Sequence, residues 1–203
     1  LEAAAGRAAF DALLGRWLGA HRFGAATTDD FLSLVERELP GVLAKVDAKS
    51  WVDAPGLPAT FQRPESARLG AVLALADDGR APAADEAKAW SVTEWVLYLE
   101  SMPRPSSRSV CEALDGTYAL TTAKNQDVLV SWLTLACESG LSAKVLPRVE
   151  EMLGQTGRMK YLKPLYRALA AYAETKPLAQ SLFAKLQTQY HPIAQQVVRN
   201  ILK

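Results

Sequence analysis

Apolar residues in this chain recur at three- and four-residue intervals, in short runs cut by proline, glycine or capping residues. Alternating patterns of useful length are absent. Such a chain can bury its apolar faces only as short helices lying against one another. Phe10, Leu13, Leu14, Trp17 and Leu18 mark one helix face. Thr27-Thr28-Asp29-Asp30 is a start signal with acids in the first turn, for a helix burying Phe31, Leu34, Val35 and Leu39 and ending at Pro40-Gly41. Asp47 is a candidate cap for a short turn around Trp51. From Trp51 to Pro64 the prolines remove backbone donors and restrict their predecessors, so the span reads as an extended connector and a domain boundary.

Helical signals then resume. Pro64 is expected to open a helix with Leu69, Val72 and Leu73. Ser91 and Glu94 have capping-box spacing ahead of Trp95, Val96 and Leu99. Ser106 or Ser107 starts a helix with Val110 and Leu114, expected to stop at Asp115-Gly116. Asn125 caps one with Val128, Leu129, Trp132 and Leu135, closed at Gly140. Ser142, Pro164, Pro177 and Pro192 open the rest. Short loops make consecutive helices antiparallel neighbours. So many successive pairs predict an all-α fold, a two-layer α-α superhelix of HEAT/armadillo-like appearance without a clean fixed-period repeat.

The 203 residues suffice for one domain or one plus a fragment, and a 49% hydrophobic content supports a full core. With 23 Lys+Arg against 22 Asp+Glu there is no basic excess to favour nucleic acid. No apolar run approaches a membrane span and no signal peptide is visible. Cys111 and Cys137 are not a CxxC pair and fit free core thiols in a reducing compartment. The chain starts at Leu1 rather than Met, which reads as a fragment of something longer.

The segment Gly157-Arg158-Met159-Lys160-Tyr161-Leu162-Lys163-Pro164-Leu165-Tyr166 carries the sharpest chemical signal. Arg158 and Lys160 are read as loop cations just ahead of a helix started by Pro164. A planar fork and a mobile point charge can converge there on one anion, helped by the helix dipole. From spacing alone, two such cations are more often solvated surface charges.

Several segments, in order, resemble the leukotriene A4 hydrolase and aminopeptidase family. They are Thr27-Thr28-Asp29-Asp30-Phe31, Trp51-Val52-Asp53-Ala54-Pro55-Gly56-Leu57-Pro58, Trp132-Leu133-x-Leu135, Gly157 through Ala170, and His191-Pro192. The resemblance implies a helical tail of a catalytic domain over 1–50, a Pro-rich connector over 51–64 and a C-terminal α-superhelical domain over 65–203. It implies a cytoplasmic zinc aminopeptidase as parent, with the metal held by an H-E-x-x-H helix and a later Glu, and Glu as general base. It also implies that Arg158 and Lys160 hold the substrate's free carboxylate while this region closes the substrate tunnel on its own upstream catalytic domain. His21 and His191 are the only histidines and neither belongs to such a motif. The expectation is therefore no catalytic residue, no metal and no cofactor in this chain, with zinc confined to the parent. Neither a nucleic acid nor a membrane is an expected partner.

Other residues read more simply. Tyr161 and Tyr166 suit packing better than a channel wall. His21 ends a helix at the surface, and His191 caps or terminates one. Asp29, Asp30, Asp77 and Asp78 suit caps and solvated loops, Glu150 and Glu151 a solvated face, and the tryptophans mostly core positions. The rival to the aminopeptidase reading is a non-catalytic helical scaffold for a protein partner. An independent enzyme ranks last for want of a catalytic constellation.

Overall fold

The computed structural model describes every residue except Gln62 and Pro64. It divides into two compact units, Leu1–Pro64 and Glu65–Lys203. Among the described residues all regular structure is helical, which makes the fold all-α as expected.

The first unit contains α1 (Glu2–Ala5), α2 (Arg7–Ala20), α3 (Thr28–Glu38), α4 (Val42–Lys45) and α5 (Ala48–Asp53). Thr27 and Asp30 form a reciprocal cap that starts α3. Leu13, Leu34 and Val35 make a small core, with Phe10, Trp17 and Phe31 packed on it. The expected face of α2 is only partly used, since Leu13 is fully buried whereas Leu18 is 65% exposed. Helix α5 runs through Asp53, so the start of the expected connector is helical; Asp47 precedes it in a left-handed conformation without a side-chain cap. Trp51 is exposed, its indole N–H donating to Thr60 Oγ1 at 3.0 Å.

The second unit contains α6 (Ala67–Asp77), α7 (Ala84–Ala87), α8 (Val92–Ser101), α9 (Arg108–Tyr118), α10 (Gln126–Glu138), α11 (Ser142–Gln155), α12 (Met159–Ala170), α13 (Lys176–Leu186) and α14 (Pro192–Leu202). The expected helix start at Pro64 lies outside the described residues; Ser66 caps α6. Helices α6, α8, α10, α12 and α14 pack in a row, each on the next. Helices α11 and α13 pack on each other and on the adjoining members of that row. The result is a two-layer α-α stack.

Three boundaries differ from expectation for physical reasons. Helix α9 continues through Asp115-Gly116 to Tyr118, because one glycine costs only about 1 kcal/mol in a helix. The Tyr118 hydroxyl is then placed to donate to the carbonyl of Pro82 at 2.9 Å. Helix α11 contains Pro147 and α12 contains Pro164. An interior proline costs roughly 3 kcal/mol. In α11 the buried Val145, Val149, Met152 and Leu153 span the proline and offset that cost; in α12 Tyr161, Leu162, Leu165, Tyr166 and Leu169 do so. Helix α12 therefore begins at Met159 and not at Pro164.

The centre of the stack is α10, in which every residue from Val128 to Cys137 is buried. A helix covered on all sides must satisfy its polar side chains internally. Thr134 Oγ1 donates to the Val130 carbonyl at 2.8 Å, and Ser131 Oγ to Glu100 at 3.1 Å. Trp132, the one tryptophan among the largest fully buried side chains, donates its indole N–H to Thr121 Oγ1 at 2.9 Å.

Trp132→Ala should lower unfolding free energy by about 3–5 kcal/mol through cavity formation, read by urea denaturation. A second prediction concerns Glu94, at the start of α8. Its carboxylate accepts from Arg68 Nη2 at 2.8 Å and from Ser91 N–H at 2.7 Å. Arg68, then Ser91, hold it at about 2, well below the ordinary 4.5, against the opposing effect of burial. A depressed carboxylate stabilises the fold above its unfolded value and loses that contribution as pH falls towards its folded one. Glu94→Gln should thus lower Tm at pH 7, with the gap to wild type closing between about pH 4.5 and pH 2.

Candidate functional site

Helix α12 starts in an unusual electrostatic setting. Arg158 is its N-cap residue, with extended backbone and no side-chain cap. The Arg158 N–H donates to Thr156 Oγ1 at 3.2 Å, and its carbonyl accepts from the amides of Tyr161 and Leu162 at 2.9 and 3.0 Å. Lys160 lies in the first turn, which has no acidic residue. Cations at the positive end of a helix dipole are locally unfavourable. Helix α12 therefore gains its stability from the buried stripe below, not from its terminus.

The structure brings both cations around one aromatic ring. The Arg158 guanidinium carbon lies 5.4 Å from the Tyr161 ring centroid and the Lys160 ammonium 5.8 Å. Tyr161 is itself buried, 4% exposed, which fixes the platform. Its hydroxyl accepts from Arg158 Nη1 in a long contact of 3.4 Å. Among the described residues Arg158 has no carboxylate partner.

Lys160 is different. Its ammonium donates to Asp127 Oδ1 at 2.6 Å. Asp127 belongs to the first turn of α10, where Asn125 Oδ1 accepts from the amides of Asp127 and Val128. The Lys160 hydrogen bond holds the Asp127 carboxyl below its usual range; burial opposes this, while Tyr161 and Arg158 reinforce it. Reciprocally, Asp127 raises the Lys160 pKa. Sequence reasoning missed Asp127. An acid after an N-cap explains itself as helix stabilisation, and only the packing of α10 on α12 carries it to Lys160. Tyr161, read as a packing residue, both packs and supports the cations.

Beside this cluster a cleft of about 280 Å³ opens among α8, α10 and α12. Its walls include Asp127, Lys160, Tyr161, Ser131 and the Arg104–Glu138 ion pair. Arg158 is not part of that wall.

Among the described residues no group of three or more His, Cys, Asp and Glu side chains could hold a metal ion. His21 follows α2, its Nδ1 3.0 Å from the Trp17 carbonyl and its ring 3.8 Å from the Trp17 ring. His191 caps α14, its Nδ1 accepting from the Ile193 amide at 3.3 Å. No described helix is long and apolar enough to cross a membrane. Tyr166 is fully buried, with its hydroxyl 3.2 Å from that of Tyr190, so it is a core residue.

Residues 90–202 match the family described as leukotriene A4 hydrolase, C-terminal. The chain belongs to this family. Curated relatives are similar along most of its length. A leucine aminopeptidase 2 of Aspergillus niger is 27% identical over 100% of this chain and 35% of its own length. The leukotriene A-4 hydrolase of Xenopus laevis is 26% identical over 87% of this chain and 31% of its own. A leucine aminopeptidase 2 of Sclerotinia sclerotiorum is 28% identical over 92% and 31%. The chain thus spans about a third of the length of these relatives.

Burial pushes the Cys137 thiol up to about 11 and raises that of Cys111. At pH 8 both should resist iodoacetamide in the folded chain and react fully in guanidinium, as counted by intact mass.

Proposed function

We propose that this chain is the carboxylate-anchoring, non-catalytic C-terminal part of a cytoplasmic zinc aminopeptidase, closing the substrate tunnel against a catalytic domain that the chain itself lacks. The observation that carries the reading is Arg158. It has no carboxylate partner among the described residues and stands over a buried tyrosine at the positive end of α12. It also falls in the Gly157–Ala170 segment that most resembles the family's substrate-binding stretch. A guanidinium so placed offers a planar fork to a carboxylate. Lys160 adds a second positive charge beside it, with donors left over after its bond to Asp127.

In this reading the chain's contribution is positioning. A short peptide held by its carboxylate, with its amine bound elsewhere, presents the intervening bond at a fixed place. The metal and the general base belong to the missing part. The chain alone should bind no stoichiometric zinc in metal analysis after dialysis. One tight zinc per chain would overturn the assignment.

The second reading is a helical scaffold for a protein partner, to which the exposed Leu18, Phe23 and Leu57 of the first unit would be available. Kinetics of the longer protein containing this chain separate the two. Arg158 is exposed in this chain, and the catalytic domain would desolvate it in the longer protein; Arg158→Ala should then lower kcat/KM for tripeptides roughly 10²-fold or more, because truncating one partner of a desolvated charge pair costs about 2–5 kcal/mol. Arg158→Lys should recover only part, and Lys160→Ala should cost less than Arg158→Ala. Aminoacyl anilides, which lack the carboxylate, should be much less affected. Equal losses on both substrates would make Arg158 structural and end the carboxylate-anchor role; a longer protein with no peptidase activity would favour the scaffold.

A further inference from the structure

Charge is unevenly distributed along this chain. Residues 157–203 hold eight Lys and Arg and one acid, Glu174, whereas the preceding 156 residues hold fifteen Lys and Arg against twenty-one Asp and Glu. Helices α12, α13 and α14 contain no acidic residue at all. Their cations therefore lack the partners three or four residues away that usually neutralise a helix surface. A chain of near-neutral total charge thus concentrates positive charge in these three helices.

Two of these cations share a groove of about 540 Å³ between α12 and α14. Lys163 and Arg167, one turn apart, line it from α12, and Val197 and Ile201, also one turn apart, line it from α14. Helix α13 packs on both helices, yet none of its residues lines this groove. So α13 covers another side of the pair. Neither Lys163 nor Arg167 has a carboxylate partner among the described residues. The helix dipole accounts for Arg167, which stands in the last turn of α12. It does not account for Lys163, which is half-buried in the middle of the helix.

This arrangement specifies the chemistry of what would fill it. Cations one turn apart, with about 5–6 Å between their Cβ atoms, match carboxylates one turn apart on a second helix. The two apolar residues opposite them, at the same spacing, match an apolar stripe beside those acids. A nucleic acid would want aromatic platforms for its bases, and none lines the groove. We propose that the groove between α12 and α14 docks an acidic amphipathic helix of a partner protein. Carboxylates of that helix meet Lys163 and Arg167, and its apolar side chains meet Val197 and Ile201. The groove contains neither Arg158 nor Lys160, so the carboxylate-anchor role can fail without affecting it.

The probe is a fluorescein-labelled peptide of two Glu-Leu-Ala-Ala-Glu-Leu-Ala heptads. Companion peptides carry Gln or Lys in place of every Glu, or Ala in place of every Leu. The full chain is titrated into each at pH 7 and followed by anisotropy. Wild type should bind the Glu peptide saturably, the Gln and Ala versions more weakly, and the Lys version not at all. Lys163→Ala with Arg167→Ala should weaken Glu-peptide binding roughly 5- to 20-fold, the worth of two exposed charge pairs. Lys124→Ala with Lys185→Ala removes the same charge from exposed positions outside the groove and should change binding by about 2-fold at most. Lys163→Glu with Arg167→Glu should transfer the preference to the Lys peptide, a reversal that damage to the fold does not produce. Equal losses from the two alanine pairs would reduce binding to general charge attraction and overturn the proposal, as would no saturable binding in wild type. Polyuridylate or phosphatidylserine vesicles that bind more tightly than the Glu peptide, through the same two cations, would overturn it in favour of a nucleic acid or a membrane. A dimer in sedimentation that dissociates in Lys163→Glu with Arg167→Glu would overturn it in favour of a second copy of this chain.

Discussion

The second unit depends on the burial of α10 from Val128 to Cys137. A helix with apolar residues on every face through its middle cannot sit at a surface, so that stretch must be covered on every side. Helices α8 and α12 flank it in the row, α11 packs on it, and the turn Leu120–Thr122 adds a further contact. Trp132 supplies the largest buried volume, and its single donor is met by Thr121 on that turn. Once α10 is enclosed, little freedom remains in where α12 lies. The distance between Asp127 and Lys160 follows from that packing.

The same constraint explains how α12 tolerates an unfavourable start. Its first turn lacks an acid, its N-cap is an arginine, and a proline interrupts its hydrogen bonding. Each feature weakens an isolated helix. Burial of Tyr161, Leu162, Leu165, Tyr166 and Leu169 against α10 and α14 outweighs them. The terminus is then available to hold positive charge that the fold itself does not need. Places where local rules are broken at a cost to stability are where function is expected, and here the broken rule coincides with Arg158 and Lys160.

Much of the architecture was legible because helical signals are local. The Thr27 and Ser91 caps, the Asn125 cap, and Pro177 and Pro192 near helix starts all act within one turn of themselves. Pro164 misled for the opposite reason. Its local meaning as a helix start was overridden by a buried stripe that begins with Tyr161 and draws its energy from other helices. Gly116 misled in the same way within α9. Arg158 and Lys160 were singled out as candidates only through resemblance, since two cations near a proline carry little information by themselves. Asp127 was not legible, because its partner lies 33 residues away and meets it only through helix packing.

The proposed role as the anchoring part of an aminopeptidase bears directly on the polypeptide in its source cells. An antibody raised against this chain, applied to a fractionated extract, measures it. The account predicts a single protein of which these 203 residues are about 35%, co-eluting with zinc and with hydrolysis of tripeptides. A protein of this chain's own size, eluting apart from all aminopeptidase activity, would contradict it.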